Sequence, residues 1–414
     1  MKNIPLHALV LLVGPSGAGK STFAESVFER SEIVSSDAIR AELLGDFRNQ
    51  NYQDKVWEEL GRRVELKLSM GQRTVVDATN VRFRDRKPLI DIAAKYGVEL
   101  FYIVLNRPIE EKLSTGGWRL TAGNLIERND ETYQNNLKGI MQGDGVATVI
   151  AIDNDVNWRD QVHTHKRVGH SSNMKDYPFE VCVIGDVHGN IDELKQVITA
   201  AQVVGDHRSV IFLGDIIDYG DHNLECFDVM FDMINNANAI LILGNHERKM
   251  SKWIDSDFGR TFKGTISHGM QKTIDEINTK VAADPTFETK FISKWRAMQA
   301  ASVQHIVIRD HLFTHGAATP TMWDKAGHSS LYGHDSNMAY FGEVDKTKPQ
   351  RDDGYPNRTY NWINDVPAGK TVVVGHDVRS TTEPLVVSNS VGGKVIFLDT
   401  GSSKGGHLSY CIIN

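Results

Sequence analysis

Two α/β domains in tandem, the first on a parallel sheet, are predicted for this chain by three observations. Apolar runs alternate with helix-forming stretches through the first half, a polar and irregular stretch follows, and in the second half successive apolar runs each end on an acidic, histidine or asparagine residue. The chain has 414 residues and is 40% hydrophobic. That exceeds the roughly 100–200 residues expected of one domain and can fill two cores.

In order, Leu6 to Val13 reads as a strand ending in glycine, then come a helix, a strand at Ile33 to Ser35 and a helix from Asp37. An amphipathic stretch Lys55 to Met70, a β-branched run Thr74 to Val76, a helix Pro88 to Tyr96 and a strand Leu100 to Leu105 continue the alternation, and Val146 to Ile152 closes it. A parallel sheet covered by helices follows from this order. The first domain is placed at residues 1–155, a linker at 156–177 and the second domain at 178–414. In the second domain, strands at Phe179 to Ile184, Ile211 to Asp215, Ile240 to His246, Leu312 to His315, Thr371 to His376 and Val395 to Asp399 surround a helical insert between Thr265 and Ala300.

Composition excludes several classes. No run approaches the roughly 20 apolar residues of a membrane span, and Met1 to Val13 lacks the ordered parts of a secretion signal. A cytoplasmic protein with no membrane partner is expected, in a host cytoplasm if the chain is phage-encoded. Three scattered cysteines do not make a disulfide framework or a thiolate metal site. A net charge of −7 argues against broad coating of nucleic acid, so any such contact is local, as at a strand end.

Gly14-Pro15-Ser16-Gly17-Ala18-Gly19-Lys20-Ser21-Thr22 fits the pattern G-x-x-x-x-G-K-S/T between a strand and a helix. Backbone N–H groups freed by Gly14, Gly17 and Gly19 turn toward phosphates, with Ser16 and Thr22 in the same loop and helix start. Lys20 reaches the terminal phosphates and Ser21 can hold Mg²⁺, which makes ATP with Mg²⁺ the expected ligand. Asp37 and Arg40 follow the second strand, at the sheet edge where such folds bind ligands. Asp37 can take a proton from an attacking hydroxyl and Arg40 can grip a substrate phosphate; the alternative is a helix cap paired with Arg40. Asp77-Ala78-Thr79-Asn80 brings another carboxylate to that edge, and Arg82, Arg84, Arg86 and Lys87 form a basic cluster that reads as a solvated helix start or a nucleic-acid contact.

On the P-loop, Ser35 to Arg40 and Asp77 to Asn80, the first 150 or so residues resemble the kinase module of bacterial and phage polynucleotide kinase-phosphatases, which phosphorylates 5′-hydroxyl ends. The resemblance implies Asp37 as general base and Arg40 as the contact to the acceptor strand. It also implies a lid rich in arginine over the donor phosphates; Ser114 to Leu120 offers only Arg119 for this, with Arg128 further on.

In the second half, Asp186 and His188 sit two apart across a turn, and Asp215, Asn245, His246, His315 and His376 follow strand ends. Carboxylate, imidazole and amide without thiolate suit Mn²⁺, Mg²⁺ or iron, and two ions sharing a carboxylate suit attack on a phosphate. Gly-Asp-x-His-Gly, Gly-Asp-x-x-Asp and Gly-Asn-His-Glu in that order, then His315-Gly316 and Gly375-His376, resemble the calcineurin-like metallophosphoesterases. The resemblance implies two packed sheets flanked by helices. It gives Asp186, His188 and Asp215 to one metal, and Asp215, Asn245, His315 and His376 to a second, with Mn²⁺ the expected ion. His246 would lie near the reacting oxygen with Asp218 orienting it, and Asp399 would add an outer contact. Serine/threonine phosphatases of this kind carry arginine where this chain has Tyr219, which disfavours a phosphoprotein substrate unless Arg248 or Arg379 substitutes.

Together the modules imply a bifunctional end-healing enzyme acting on RNA or DNA ends: a 5′-hydroxyl kinase plus a 3′-/2′-phosphatase or 2′,3′-cyclic phosphodiesterase. Because 15 residues follow Asp399, a separate ligase is expected as the next partner. Self-association into a homo-oligomer is compatible with the sequence. The alternatives are a small-molecule kinase fused to a dinucleoside polyphosphate or protein phosphatase, and an ATP-sensing module that regulates a phosphatase.

Overall fold

The structure, a computed structural model, describes residues 2–115, 124–164, 180–202, 209–236, 239–324, 331–345, 347–350 and 356–413. It divides into two compact units, Met1–His165 with Thr286–Ala300, and Lys166–Pro285 with Ala301–Asn414.

The first unit contains β1 (Lys2–Ile4), β2 (Ala8–Val13), β3 (Ile33–Ser35), β4 (Thr74–Asp77), β5 (Glu99–Val104), β6 (Thr148–Ala151) and β7 (Val162–Thr164). Its helices include α1 (Lys20–Val27), α2 (Ser36–Leu44), α3 (Gln53–Ser69), α4 (Phe83–Tyr96), α5 (Ile109–Thr115), α6 (Leu125–Met141) and α7 (Trp158–Gln161). The five-stranded sheet is parallel, in the order β3-β4-β2-β5-β6. Strand β2 is buried throughout, and its period of two splits it between two cores: Leu9, Leu11 and Val13 face one, Ala8, Val10 and Leu12 the other. Helix α4 starts five residues before Pro88, which lies inside it, so the basic residues from Arg84 onward are helical.

Two features differ from the sequence reading. The segment assigned to a linker from residue 156 contains α7 and β7, and β7 pairs in parallel with β1. Trp158 packs on Phe23 and Val162 is buried, but a three-residue strand carries too little periodicity to be read. The helical insert is also split: His268–Ala283 belongs to the second unit, whereas Phe287–Ala301 packs in the first. There Ser293 Oγ donates to the Leu68 carbonyl at 2.6 Å and accepts from His7 Nε2 at 2.8 Å. Gly71, with φ +68°, lets α3 end against this helix, since a Cβ there would lie 2.1 Å from the Ala297 nitrogen.

The second unit has β8 (Val181–Ile184), β9 (Ser209–Phe212), β10 (Ala239–Leu241), β11 (His305–Ile308), β12 (His311–Thr314), β13 (Thr371–Val374), β14 (Leu385–Ser388), β15 (Lys394–Phe397) and β16 (Tyr410–Ile413). They form two sheets, β10-β9-β8-β16 and β11-β12-β13-β15-β14. Val183, Ile211 and Ile240 from one sheet and Ile306, Phe313 and Val373 from the other share a single apolar core, so the sheets pack face to face. Helices α8 (Ile191–Gln202), α9 (Asn223–Asn235), α10 (Asn245–Asp255) and α11 (His268–Ala283) flank them. Among the described residues no helix is long and apolar enough to cross a membrane.

Two candidate active sites

In the first unit the loop between β2 and α1 is a phosphate cradle. Gly17 and Gly19 have φ of +83° and +87°, the left-handed region that glycine enters without cost. Gly14 donates its N–H to the Thr79 carbonyl, and a Cβ there would lie 2.0 Å from the Leu105 carbonyl oxygen. Lys20 Nζ donates to the Pro15 carbonyl at 2.8 Å, at the first residue of α1. Ser21 and Thr22 follow on the exposed side of the same helix, and Ser16 Oγ accepts from Asn129 at 2.9 Å.

Asp77 ends β4, the strand beside β2, in register with Leu12 and Ser35. Burial holds its carboxyl above the ordinary range, opposed by Lys20 and the Ser21 hydroxyl. Asp37 lies in the first turn of α2, and the cap of that helix is Ser35, which accepts from Ala38 N–H. Asp37 is therefore not spent on capping. Arg40, 5% exposed, donates to Asp37 at 2.5 Å and to Gln53 at 3.1 Å. Of the basic cluster, Arg86 is a core residue: it pairs with Asp144 through two hydrogen bonds and lies over Tyr102. Lys87 pairs with Asp91, while Arg84 is 75% exposed.

Arg119 lies outside the described residues. A cation that sequence reading missed stands elsewhere: the Arg107 guanidinium is 3.1 Å from where a Gly19 Cβ would be, and the Lys112 side chain runs along Gly17. Lys112 is tied to Asn106 and Asp130, and a cavity of about 420 Å³ lies among these residues beside the cradle. No motif marks Arg107; its place after β5, next to the P-loop strand, was the available signal.

In the second unit, Asp186, Asp215, His315, His376 and Asp399 all follow the carboxyl ends of strands, and Asn245 and His246 open α10. Asp215, His315 and His376 can present ligand atoms within 4.8 Å of one another, and so can His188, Asp215 and His246. Asp215 belongs to both sets, as a shared carboxylate between two ions requires. Asn245 Oδ1 is 3.1 Å from His315 Nε2, and Asp186 Oδ2 is 3.9 Å from His188 Nε2. Asp186 also accepts the His376 N–H.

The tautomers suit metal binding. His188 Nδ1–H donates to the Ile217 carbonyl and His315 Nδ1–H to the Leu213 carbonyl, which leaves each Nε2 lone pair for a ligand role. Burial holds His188 and His376 well below the usual histidine range, the unprotonated form a metal needs. Asp186 is raised well above the carboxylate range by burial and by Asp399 and Asp215; Asp399 Oδ2 is buried with no hydrogen-bond partner among the described residues. An orphaned buried oxygen and crowded carboxylates fit positive charge at this point. Asp215, despite burial, is lowered by His246, His315 and His188.

Strain marks the same residues. His188, Asp215, Asp218, Tyr219 and His376 all have φ between +49° and +78°. Each such residue costs about 1–3 kcal/mol, held here by the surrounding hydrogen bonds. Glu247, missed as more than a motif letter, does part of this: its carboxylate accepts from the N–H groups of Asp215, Ile216 and Gly244.

A cavity of about 430 Å³ opens on the cluster, with Arg358 and Lys404 in its wall. Arg248 and Arg379, the expected substitutes for an arginine at position 219, are absent from that wall. Arg248 lies over Tyr340 and Phe341, and Arg379 stacks 3.9 Å from the Tyr360 ring centre.

Fold and site thus define a P-loop nucleotide-binding unit joined to a metallophosphoesterase unit. A family model described as an AAA domain matches residues 9–114, and one described as calcineurin-like phosphoesterase matches residues 179–395. The second match spans more than half of the chain, which belongs to the calcineurin-like phosphoesterases. A bis(5′-nucleosyl)-tetraphosphatase (asymmetrical) of Halalkalibacterium halodurans is 27% identical over 55% of this chain and 87% of its own length. Its counterpart from Bacillus mycoides is 26% identical over the same shares. Among solved structures, a Saccharomyces cerevisiae serine/threonine phosphatase overlaps 56% of this chain and 71% of its own, with 16% identity and a TM-score of 0.36. The Pnkp1/Rnl/Hen1 RNA repair complex overlaps 59% of this chain and 80% of its own, with 16% identity and a TM-score of 0.28.

Proposed function

We propose that the chain heals nucleic-acid ends, adding phosphate to a 5′-hydroxyl from ATP in the first unit and removing a terminal 3′- or 2′-phosphate in the second. The observation that carries this reading is the Asp37–Arg40 pair, not used to cap α2, beside Asp77 at the sheet edge that holds the P-loop. A nucleotide-sensing module has no need of a carboxylate poised there, whereas a transferase needs one to accept the proton of the attacking hydroxyl. Lys20 and Arg107 would hold the donor phosphates, and Arg40 would orient Asp37 and meet the acceptor.

In the second unit, Asp186, His188 and Asp215 would hold one divalent ion, and Asp215, Asn245, His315 and His376 another. When bound, such ions supply Lewis acidity against the phosphoryl oxygens and make a water more acidic. The chain supplies the proton. Burial lowers the affinity of His246 for a proton, but Asp215 and Asp218 outweigh it, so the imidazole is raised above its usual range and can protonate the departing oxygen.

The reading is tested with γ-labelled ATP and a 5′-hydroxyl oligonucleotide. Label is expected on the 5′ end with wild type and is lost with Lys20→Ala. Label transfer to nucleosides but not to oligonucleotides would refute it. Because the tetraphosphatase relatives name another substrate class, bis(5′-nucleosyl) tetraphosphate is included; its hydrolysis at a far higher rate than that of a 3′-phosphate end would assign the second unit to it instead.

A further inference from the structure

We propose that Lys404 is the phosphoryl-gripping cation of the metallophosphoesterase unit, standing in for the arginine that Tyr219 replaces, and that it selects dianionic phosphomonoesters. The inference rests on the phosphoesterase reading of the site alone, not on the identity of the polymer.

Lys404 Nζ is 2.8 Å from His188 Nε2 and 4.3 Å from the centre of the Tyr219 ring, so it occupies the space above the residue where an arginine would have risen. The turn that carries it is built to hold it there. Gly401 and Gly405 have φ of +82° and +97°, and Lys404 and Gly406 both donate to the Gly401 carbonyl. A Cβ on Gly406 would lie 1.8 Å from the Thr400 carbonyl oxygen. Ser402, fully buried, donates to the carbonyl of Val187, between the Asp186 and His188 ligand positions. Asp399 accepts the Gly401 N–H, which fastens the other end.

The nitrogen that Lys404 touches is the one left for metal, because Nδ1–H of His188 is engaged with Ile217. With a metal on Nε2, the ammonium would be left to meet a phosphoryl oxygen in the cavity that Lys404 already lines. Arg358 has anchors that metal binding would leave in place: besides His376 Nε2 it donates to the Phe341 carbonyl and lies 3.5 Å from Asp377. A monoester bears about two negative charges above its second pKa of about 6, one more than a diester, so a compact ammonium favours it.

The test uses the Mn²⁺-loaded full chain and synthetic esters without nucleic acid, so failure of the end-healing reading cannot be mistaken for failure here. Lys404→Met and Lys404→Arg are compared by metal content, by competitive inhibition with inorganic phosphate, and by kcat/KM on p-nitrophenyl phosphate and bis(p-nitrophenyl) phosphate. Lys404→Met is expected to keep both ions and to weaken phosphate inhibition about 10- to 100-fold, as for loss of a charge-assisted hydrogen bond. Monoester kcat/KM should fall by a similar factor and the diester by about threefold or less, with Lys404→Arg near wild type. Unchanged phosphate inhibition at full metal content, or an equal loss on both esters, overturns the proposal. Loss of metal in Lys404→Met overturns it as well, since the lysine would then be supporting the ligands.

Discussion

His246 Nδ1–H donates to Asp218 Oδ2 at 2.5 Å, and Asp218 Oδ1 accepts the Thr273 hydroxyl at 2.6 Å. The carboxylate is buried, so it fixes the imidazole with Nε2 3.7 Å from Asp215 Oδ2 and stabilises its protonated form. His246→Ala is expected to lower kcat for phosphate release about 10²- to 10⁴-fold, the usual worth of a positioned proton donor. Metal content should stay at the wild-type value. Since His246 also lies within ligand distance of His188 and Asp215, loss of an ion in this variant would make it a ligand instead.

Thr273→Val leaves the pair in place but removes one hydrogen bond from Asp218. A neutral-donor bond to a carboxylate is worth about 1.5–3 kcal/mol, so kcat should fall about tenfold or more, with KM little changed. Steady-state kinetics at saturating metal check this, and a change confined to KM would contradict the positioning role.

At the P-loop, Arg107→Ala should raise KM for ATP about tenfold while leaving metal-dependent phosphate release unaltered. Asp37→Ala should bind ATP normally and transfer phosphate at least about 100-fold more slowly. Nucleotide-binding calorimetry alongside transfer rates separates the two effects.

Ser293→Val removes the hydroxyl that joins the His7 imidazole to the Leu68 carbonyl. Each such buried hydrogen bond is worth about 0.5–1.5 kcal/mol net, so the first unit should unfold at lower denaturant while ester hydrolysis by the second persists. A fragment ending near residue 178 would lack the helix Phe287–Ala301 altogether and should be less stable still. Urea titration followed by ATP binding reads both.

Burial pushes the Cys226 and Cys411 thiols up to about 12, from a usual value of 9.0. Both should resist iodoacetamide at pH 8 in the native protein and react once it is unfolded. A raised pKa means that the folded state holds its proton more tightly. This contribution is complete below about pH 9 and is lost as pH rises through about 12, so alkaline titration should destabilise the second unit across that window.

The sites were legible where side chains follow apolar runs. Asp186, Asp215, His315 and His376 each follow a strand of matching hydrophobic pattern, and Gly17 and Gly19 sit where positive φ is needed. Lys404, Arg358 and Arg107 were not legible: a cation on a turn has no period, and only the fold shows which sheet edge it reaches. The helix Phe287–Ala301 was readable as a helix, yet its buried face, with Phe291, Trp295 and Met298, does not say which core it fills. Left-handed His188 and His376 were not legible because the enrichment of histidine at positive φ is too weak to mark any one position.

The most direct test of the account is one RNA oligonucleotide with a 5′-hydroxyl and a 3′-phosphate, incubated with ATP, Mg²⁺ and Mn²⁺ and resolved by mass at both ends. Wild type should gain a 5′-phosphate and lose the 3′-phosphate; Lys20→Ala should block only the first change and Asp186→Ala only the second. A 5′ end left untouched by wild type, with the 3′ end or a simple ester still hydrolysed, would rule out a polynucleotide kinase joined to the phosphatase in this chain.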